Sequence, residues 1–328
     1  MIFKNKKILS VLIILLAFSA TAKAYESLLY YELQAVGGYN LSDGKTALYS
    51  FDKNDVMQKP SAGFDYIGRI SGNSSDKASI FLQARFAYDE NGKNIQGQLY
   101  NAYINLKMAG GNLWGGHNKP AFGLSSVLDT HALLMPSLVS YGFGFDRDWG
   151  AGFLRDTQWG AVSLSITSGS GMPLYTNGNY FLSSRISKGV LNRDNSEFGL
   201  SLAKGEILDI MGYHTMSSEK IPFTSLSADY SLVFDRYSLR SEYLRGFKNN
   251  ENIEAFFIRF GINVFDEQRG LIEFQPAYIN NAMTEGFYKA VGFSYLLSSV
   301  HTVRVMYHSN PVTHDETIVF QWYIYGKL

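Results

Sequence analysis

Side chains able to do chemistry in this chain are its charged, histidine and hydroxyl residues, because its 328 residues include no cysteine. Thiol nucleophiles and disulfides are thereby excluded. The basic residues Arg69, Arg85, Lys107, Arg185, Arg240, Arg259 and Arg304 and the acidic residues Glu32, Asp229 and Glu242 sit inside segments where polar and apolar residues alternate. Charges spaced in that way do not converge on a cleft. They line a polar space, where each acts on an ion within a few ångströms and is screened beyond ~8–10 Å. The motifs G-x-S-x-G, H-E-x-x-H and the P-loop are all missing. His308, His314 and Asp315 are close in sequence and could meet a metal, but their spacing fits no strong ligand pattern and a solvated loop accounts for them as well. Asp146 and Asp148 flank Arg147, which makes either an acid pair or an ion-paired strand entry. With no convergent catalytic set, the expectation is a non-enzymatic protein that uses no cofactor and no metal.

The elements that carry these charges are short and regular. In residues 79–88, Ile80, Leu82, Ala84 and Phe86 share one face, while Ser79, Phe81, Gln83 and Arg85 share the other. Residues 225–234, 253–264 and 316–325 repeat the pattern, the last setting Ile318, Phe320, Trp322 and Ile324 against Val319, Gln321, Tyr323 and Tyr325. Segments of about ten residues with period two suit tilted strands that cross a bilayer. Such segments fall at 28–37, 62–70, 78–88, 99–108, 112–117, 148–155, 161–168, 180–187, 197–204, 225–234, 237–246, 253–264, 271–279, 286–297, 301–309 and 316–325. Short connections follow the even-numbered segments. Long ones, at 40–61, 118–147, 168–179 and 205–224, follow the odd-numbered ones, and 188–196 is longer than this rule wants. The pattern predicts an all-β fold, a transmembrane antiparallel β-barrel of about 16 strands with 14–18 open.

A soluble β-sandwich alternates too. Here the face opposite the apolar one carries mid-strand arginines, and tyrosines and phenylalanines gather near strand ends, as aromatic girdles do. Lys4, Lys6 and Lys7, the apolar run Ile8 to Ala20 and Ala22-Lys23-Ala24 form the three parts of a secretory leader, with cleavage expected after Ala24. The thirteen-residue run is shorter than the ~20 residues a membrane helix needs. The organisation expected is therefore a signal peptide, residues 1–24, and one barrel domain, residues 25–328, in the outer membrane of a Gram-negative bacterium. Removing the leader takes four lysines from 29 basic and 29 acidic residues and leaves a net charge of −4, with no basic patch for nucleic acid.

Residues 117–145 form the most informative irregular stretch. They contain Pro120 and Pro136 and are apolar through Leu124, Val127, Leu128, Leu133, Leu134 and Met135. A loop of that character has to pack on something: the barrel wall from inside, or a neighbouring subunit from outside. Ala102-Tyr103-Ile104-Asn105-Leu106-Lys107, Gly116-His117-Asn118-Lys119-Pro120-Ala121-Phe122-Gly123-Leu124 and Arg147-Asp148-Trp149-Gly150 resemble the phosphate-selective porin family. The resemblance implies a sixteen-stranded outer-membrane barrel, commonly a homotrimer, whose third loop folds into the lumen. In this chain that loop would carry Lys119, Pro120, Phe122, Asp129 and His131 at the constriction. The dense basic ladder expected for phosphate is missing, so that solute is not carried over.

The function expected is a passive diffusion channel for small hydrophilic solutes or ions, with outer-membrane lipid as its surroundings. A weak anion preference follows if the mid-strand arginines reach the waist unpaired. If they pair with carboxylates or with the loop, they only brace the wall. A structural or adhesive barrel with a plugged lumen, a solute-binding barrel and an outer-membrane enzyme are the competing classes.

Overall fold

The computed structural model describes residues 25–50, 58–72, 76–129, 133–281 and 284–328. The expected leader lies outside the described residues, as does His131. The alternating segments form one closed antiparallel sheet of sixteen strands. In chain order these are β1 (Tyr25–Asn40), β2 (Ser61–Ser71), β3 (Asp76–Asp89), β4 (Asn94–Met108), β5 (Gly111–Asn118), β6 (Asp148–Asp156), β7 (Gly160–Thr167) and β8 (Tyr180–Lys188). They continue as β9 (Ser196–Met211), β10 (His214–Phe234), β11 (Tyr237–Lys248), β12 (Glu251–Val264), β13 (Gly270–Asn280), β14 (Glu285–Leu296), β15 (His301–Asn310) and β16 (Asp315–Lys327). A two-residue bridge, Thr46–Ala47, pairs with β1 inside the first long connection. Each segment read from the sequence overlaps one of these strands, in order.

Closure comes from β1, which pairs with β2 on one side and with β16 on the other, from Tyr30 opposite Lys327 to Asn40 opposite Thr317. A closed sheet leaves no row of unpaired backbone groups, which is the requirement for strands surrounded by lipid. The side chains sort accordingly. Leu164, Ile166, Leu200, Leu202, Ile258, Phe274, Phe320 and Trp322 are exposed on the outside, while Ser165, Arg185, Ser201, Asp229, Glu242, Gln275 and Gln321 are buried inside. That inversion of the usual apolar-in, polar-out order belongs to a membrane barrel and not to a sandwich. No helix among the described residues is long and apolar enough to cross a membrane.

Short turns gather at the end of the barrel that holds Tyr25 and Lys327, and long connections gather at the other. The long turn between β8 and β9 is one helical turn, Leu191–Asp194, ended by Asn195 at φ 58. Residues 205–224, expected as a loop, instead prolong β9 and β10 into a hairpin that outruns both neighbours. Pairing with β8 stops at Glu206 and pairing with β11 stops at Phe223. Pro222, which reads as a breaker in sequence, is tolerated because β10 has become an edge strand by that point.

Candidate functional site: the inward loop and the lumen

The connection between β5 and β6 turns inward and crosses the lumen. At its start Ala121 N donates to Ser165 Oγ at 2.9 Å, Gly123 N to Ser201 Oγ at 3.0 Å and Leu124 N to Glu242 Oε1 at 3.0 Å. Gly123 has φ 63, and a Cβ there would run into the Glu242 carboxylate, so the tight approach requires glycine. Phe122, Leu124, Leu128, Leu138, Tyr141, Phe143 and Phe145 then bury against wall residues including Phe181, Phe223, Leu244, Phe257, Ile279 and Tyr288. Leu134 and Met135 reach a second wall patch of Val36, Ala290, Met306 and Val319. A large apolar side chain contributes about 1.5–3 kcal/mol when fully buried and a neutral hydrogen bond about 0.5–1.5 kcal/mol net. Burial therefore holds the loop in place, and the hydrogen bonds set its register. The loop packs on the wall from inside, not on the outer face.

The charged residues singled out in the sequence divide by height and by partner. Arg185 is bidentate to Asp229, at 2.6 and 3.1 Å, and also bonds Glu197 at 2.9 Å. Arg85 faces Glu32 at 3.5 Å and donates to Gln98 at 2.9 Å. Arg259 donates to Gln275 at 2.7 Å and to the loop carbonyls of Pro136 at 2.8 Å and Met135 at 3.3 Å. Arg304 donates to Gln321 at 2.9 Å and lies over the Tyr323 ring, and Arg240 stands opposite Arg259 in register. Arg69 and Lys107 do not belong to the waist: both are exposed toward the turn end, Lys107 3.6 Å from Asp76. Glu242 is buried, accepting from Leu124 N and from Ser227 Oγ at 2.9 Å.

The expected constriction residues are spread along the entry of the loop. Lys119 Nζ donates to Leu128 O at 2.6 Å, Pro120 is buried with its carbonyl accepting from Phe122 N, and Asp129 is exposed 3.8 Å from Arg147. Burial, with the Arg147 guanidinium nearby, pushes the Lys119 ammonium down to about 8, against the opposing pull of Asp146 and Asp129. Arg147 stacks on Tyr100 at 4.2 Å, pairs with Asp146 at 3.2 Å and donates to Asn101 at 2.8 Å. Asp148 points the other way and accepts from Ser168 Oγ and from the backbone amides of Gly169, Ser170 and Gly171. The two carboxylates beside Arg147 thus serve an ion pair and a loop anchor, and they are not an acid pair. His308 is buried 3.4 Å from Tyr141 Oη, and among the described residues no group of three His, Asp or Glu side chains could hold a metal.

Three features of the mouth and lumen escape sequence reasoning. The prolonged β9–β10 hairpin bends where its register shifts at Leu208–Ile210, and a bulge of this kind redirects a strand. Its tip crosses the barrel mouth, so that Tyr213 Oη donates to Leu99 O on β4 at 3.1 Å, while Lys248 holds Asp209 at 2.9 Å at the base. The end of the first connection also turns in. Lys59 forms a buried pair with Asp89 at 2.9 Å, and Gln58 meets Gln321 at 3.2 Å. Below the loop, a vestibule of ≈ 570 Å³ opens toward the turn end, lined by residues of β4 to β9.

No family model matches the chain, and no curated protein matches it in sequence. Solved structures do match in fold. OmpF of Salmonella typhi in complex with daunomycin is similar with a TM-score of 0.67 at 12% identity, covering 92% of this chain and 97% of that one. The trimer form of in-vitro folded OmpT, an outer membrane protein of Vibrio cholerae, gives 0.65 at 11% identity over 92% and 100%. An anion-selective porin from Comamonas acidovorans gives 0.61 at 10% identity over 93% and 100%. At such identities the likeness is one of architecture, and this chain has the sixteen-stranded barrel fold of outer-membrane porins.

Proposed function

We propose that this protein is a passive, non-enzymatic diffusion channel of the outer membrane, exported by a leader that is removed after Ala24. The observation that carries the reading is the loop over residues 119–147: a barrel with an apolar outside and a charged inside is narrowed by its own chain at mid-height. Small hydrophilic solutes fit such a passage, with size set by the loop and charge set by the wall. The similarity to OmpF and to the Comamonas porin supports the same reading. A weak anion preference rests on Arg240 and Arg304, whereas Arg85 and Arg185 are neutralised by carboxylates and Arg259 is tied to the loop. Phosphate is not assigned as the solute. The trimer of OmpT from Vibrio cholerae makes a homotrimer the expected assembly.

Purified protein in a planar bilayer should pass steady current, and deletion of Ser125 to Ser140 should raise its conductance. A correctly inserted deletion protein with unchanged conductance would count against the loop as the constriction. One observation favours a second reading, a plugged structural barrel: Glu32, Gln34, Arg85, Gln98 and Gln321 on the opposite wall are also buried. No current from inserted wild type would select it.

A further inference from the structure

The lumen has a second character besides charge. Away from the apolar wall that the loop covers, the buried inward residues include many Ser, Gln, Asp, Glu and Arg, the usual lining of a water-filled passage. On the turn-end side of β2 to β5, however, Ile67, Phe81, Tyr103 and Trp114 occupy successive inward positions. Ile67 pairs with Phe81, Phe81 with Tyr103, and Trp114 with Asn105 one step below Tyr103. The Phe81 and Tyr103 rings stack with centroids 4.6 Å apart and planes at 15°. Trp114 lies opposite Gly152, and a Cβ on Gly152 would collide with the indole, so the glycine gives the ring its place against the wall. The result is a strip of one isoleucine and three aromatic residues on four adjacent strands.

Tyr103 and Trp114 border the ≈ 570 Å³ vestibule, whose rim carries Asn101, Asn118, Ser163 and Ser187 together with the charged groups of Lys119, Asp129, Arg147, Asp156, Arg185 and Glu197. Trp114 is largely buried and Phe81 and Tyr103 are half-buried, so the ring surface left open to the lumen is a limited apolar contact. A solute with an apolar ring face and hydroxyls at its edge gains from both parts: carbon–hydrogen surface against the strip, hydrogen bonds to the amides and hydroxyls beside it. The volume falls within the ~300–1,000 Å³ of small-molecule sites. We infer that this strip and its polar rim form a binding site for pyranose saccharides of about disaccharide size, on the turn-end side of the constriction. The inference rests on the channel reading for its role in transport, but the binding itself does not.

The full-length protein in detergent is titrated calorimetrically with maltose, with sorbitol as an open-chain polyol and with 4-hydroxybenzoate as a flat aromatic. Maltose should bind saturably and sorbitol should not. Tyr103→Ala should weaken maltose about tenfold, and Asn118→Ala, which removes only a rim amide, should weaken it severalfold. The mobility difference between heated and unheated barrel verifies folding of each variant. No saturable heat with maltose overturns the inference, as does equal affinity in wild type, Tyr103→Ala and Asn118→Ala, or binding of 4-hydroxybenzoate alone. Parallel bilayer recordings keep the two readings apart. Current without maltose binding sinks the saccharide site and leaves the channel, whereas maltose binding without current upholds the site and sinks the channel.

Discussion

Arg259→Ala is expected to loosen the inward loop without harming the barrel. The guanidinium is buried on β12 and ties the carbonyls of Pro136 and Met135, at 2.8 and 3.3 Å, to the wall. Hydrogen bonds from a charged donor contribute about 1.5–3 kcal/mol each. The longer of the two is weaker, and Gln275 Nε2 keeps its own bond to Pro136 O at 2.9 Å, so the net loss is about 3 kcal/mol. That shifts the ratio of docked to undocked loop by roughly a hundredfold. Single-channel recording should show correspondingly more frequent visits to a higher conductance, and backbone amides of residues 134–138 should exchange faster. Arg259→Lys should fall between, since a lysine carries the charge but not the fork that reaches both carbonyls. Adding Gln275→Ala should loosen the loop further than either change alone. A folded Arg259→Ala protein with wild-type gating and exchange would refute the claim that these contacts pin the loop.

Other outcomes follow from the same lumen. Lys119, held near 8, should lose its charge between pH 7 and 9, so the balance of Lys119 and Arg147 against Asp129 and Asp146 turns more negative. Reversal potentials should move toward cations over that interval in wild type and not in Lys119→Met. Because the folded protein gives up this proton before the unfolded chain does, stability should rise from about pH 8 toward the ordinary lysine value near 10.4. Arg185→Ala leaves Asp229 buried without its partner and should cost about 3–5 kcal/mol, read as a lower midpoint in urea unfolding from vesicles. Removing the hairpin tip, Met211 to His214, should raise conductance for large solutes more than for KCl; Tyr213→Phe should reproduce part of the effect, since only its hydroxyl reaches Leu99.

The barrel was legible because its physics is local. Period two, strand length and the alternation of short and long connections are written in contiguous residues, and all sixteen strands follow from them. The inward loop was legible for the opposite reason, since apolar residues such as Leu128 and Leu138 make no sense in water. What stayed hidden depends on contacts between residues far apart in the chain. Nothing near Tyr213 announces Leu99, and a run that contains Gly205 and Pro222 reads as a loop until its neighbours are known to have ended. Arg185 and Arg259 look alike in sequence, each on a polar face, yet one meets two carboxylates and the other two loop carbonyls. The aromatic strip was hidden in a different way: Phe81 sits on a polar face by pattern, and only the register of the strands brings Tyr103 beside it and Trp114 onto the next strand.

The seam between β1 and β16 has a consequence for how the molecule is made. Eleven residue pairs join the two ends of the sheet, from Tyr30 with Lys327 to Asn40 with Thr317. Contacts that distant in sequence are formed late and slowly, because the whole intervening chain must be ordered before they can form. Until β16 arrives, β1 and β15 are open edges, each able to pair with another unfinished chain. A barrel that lacks its last strand therefore keeps two unpaired edges. Loss of β16 alone would open β1 and β15 at once, although the two lie at opposite ends of the sequence.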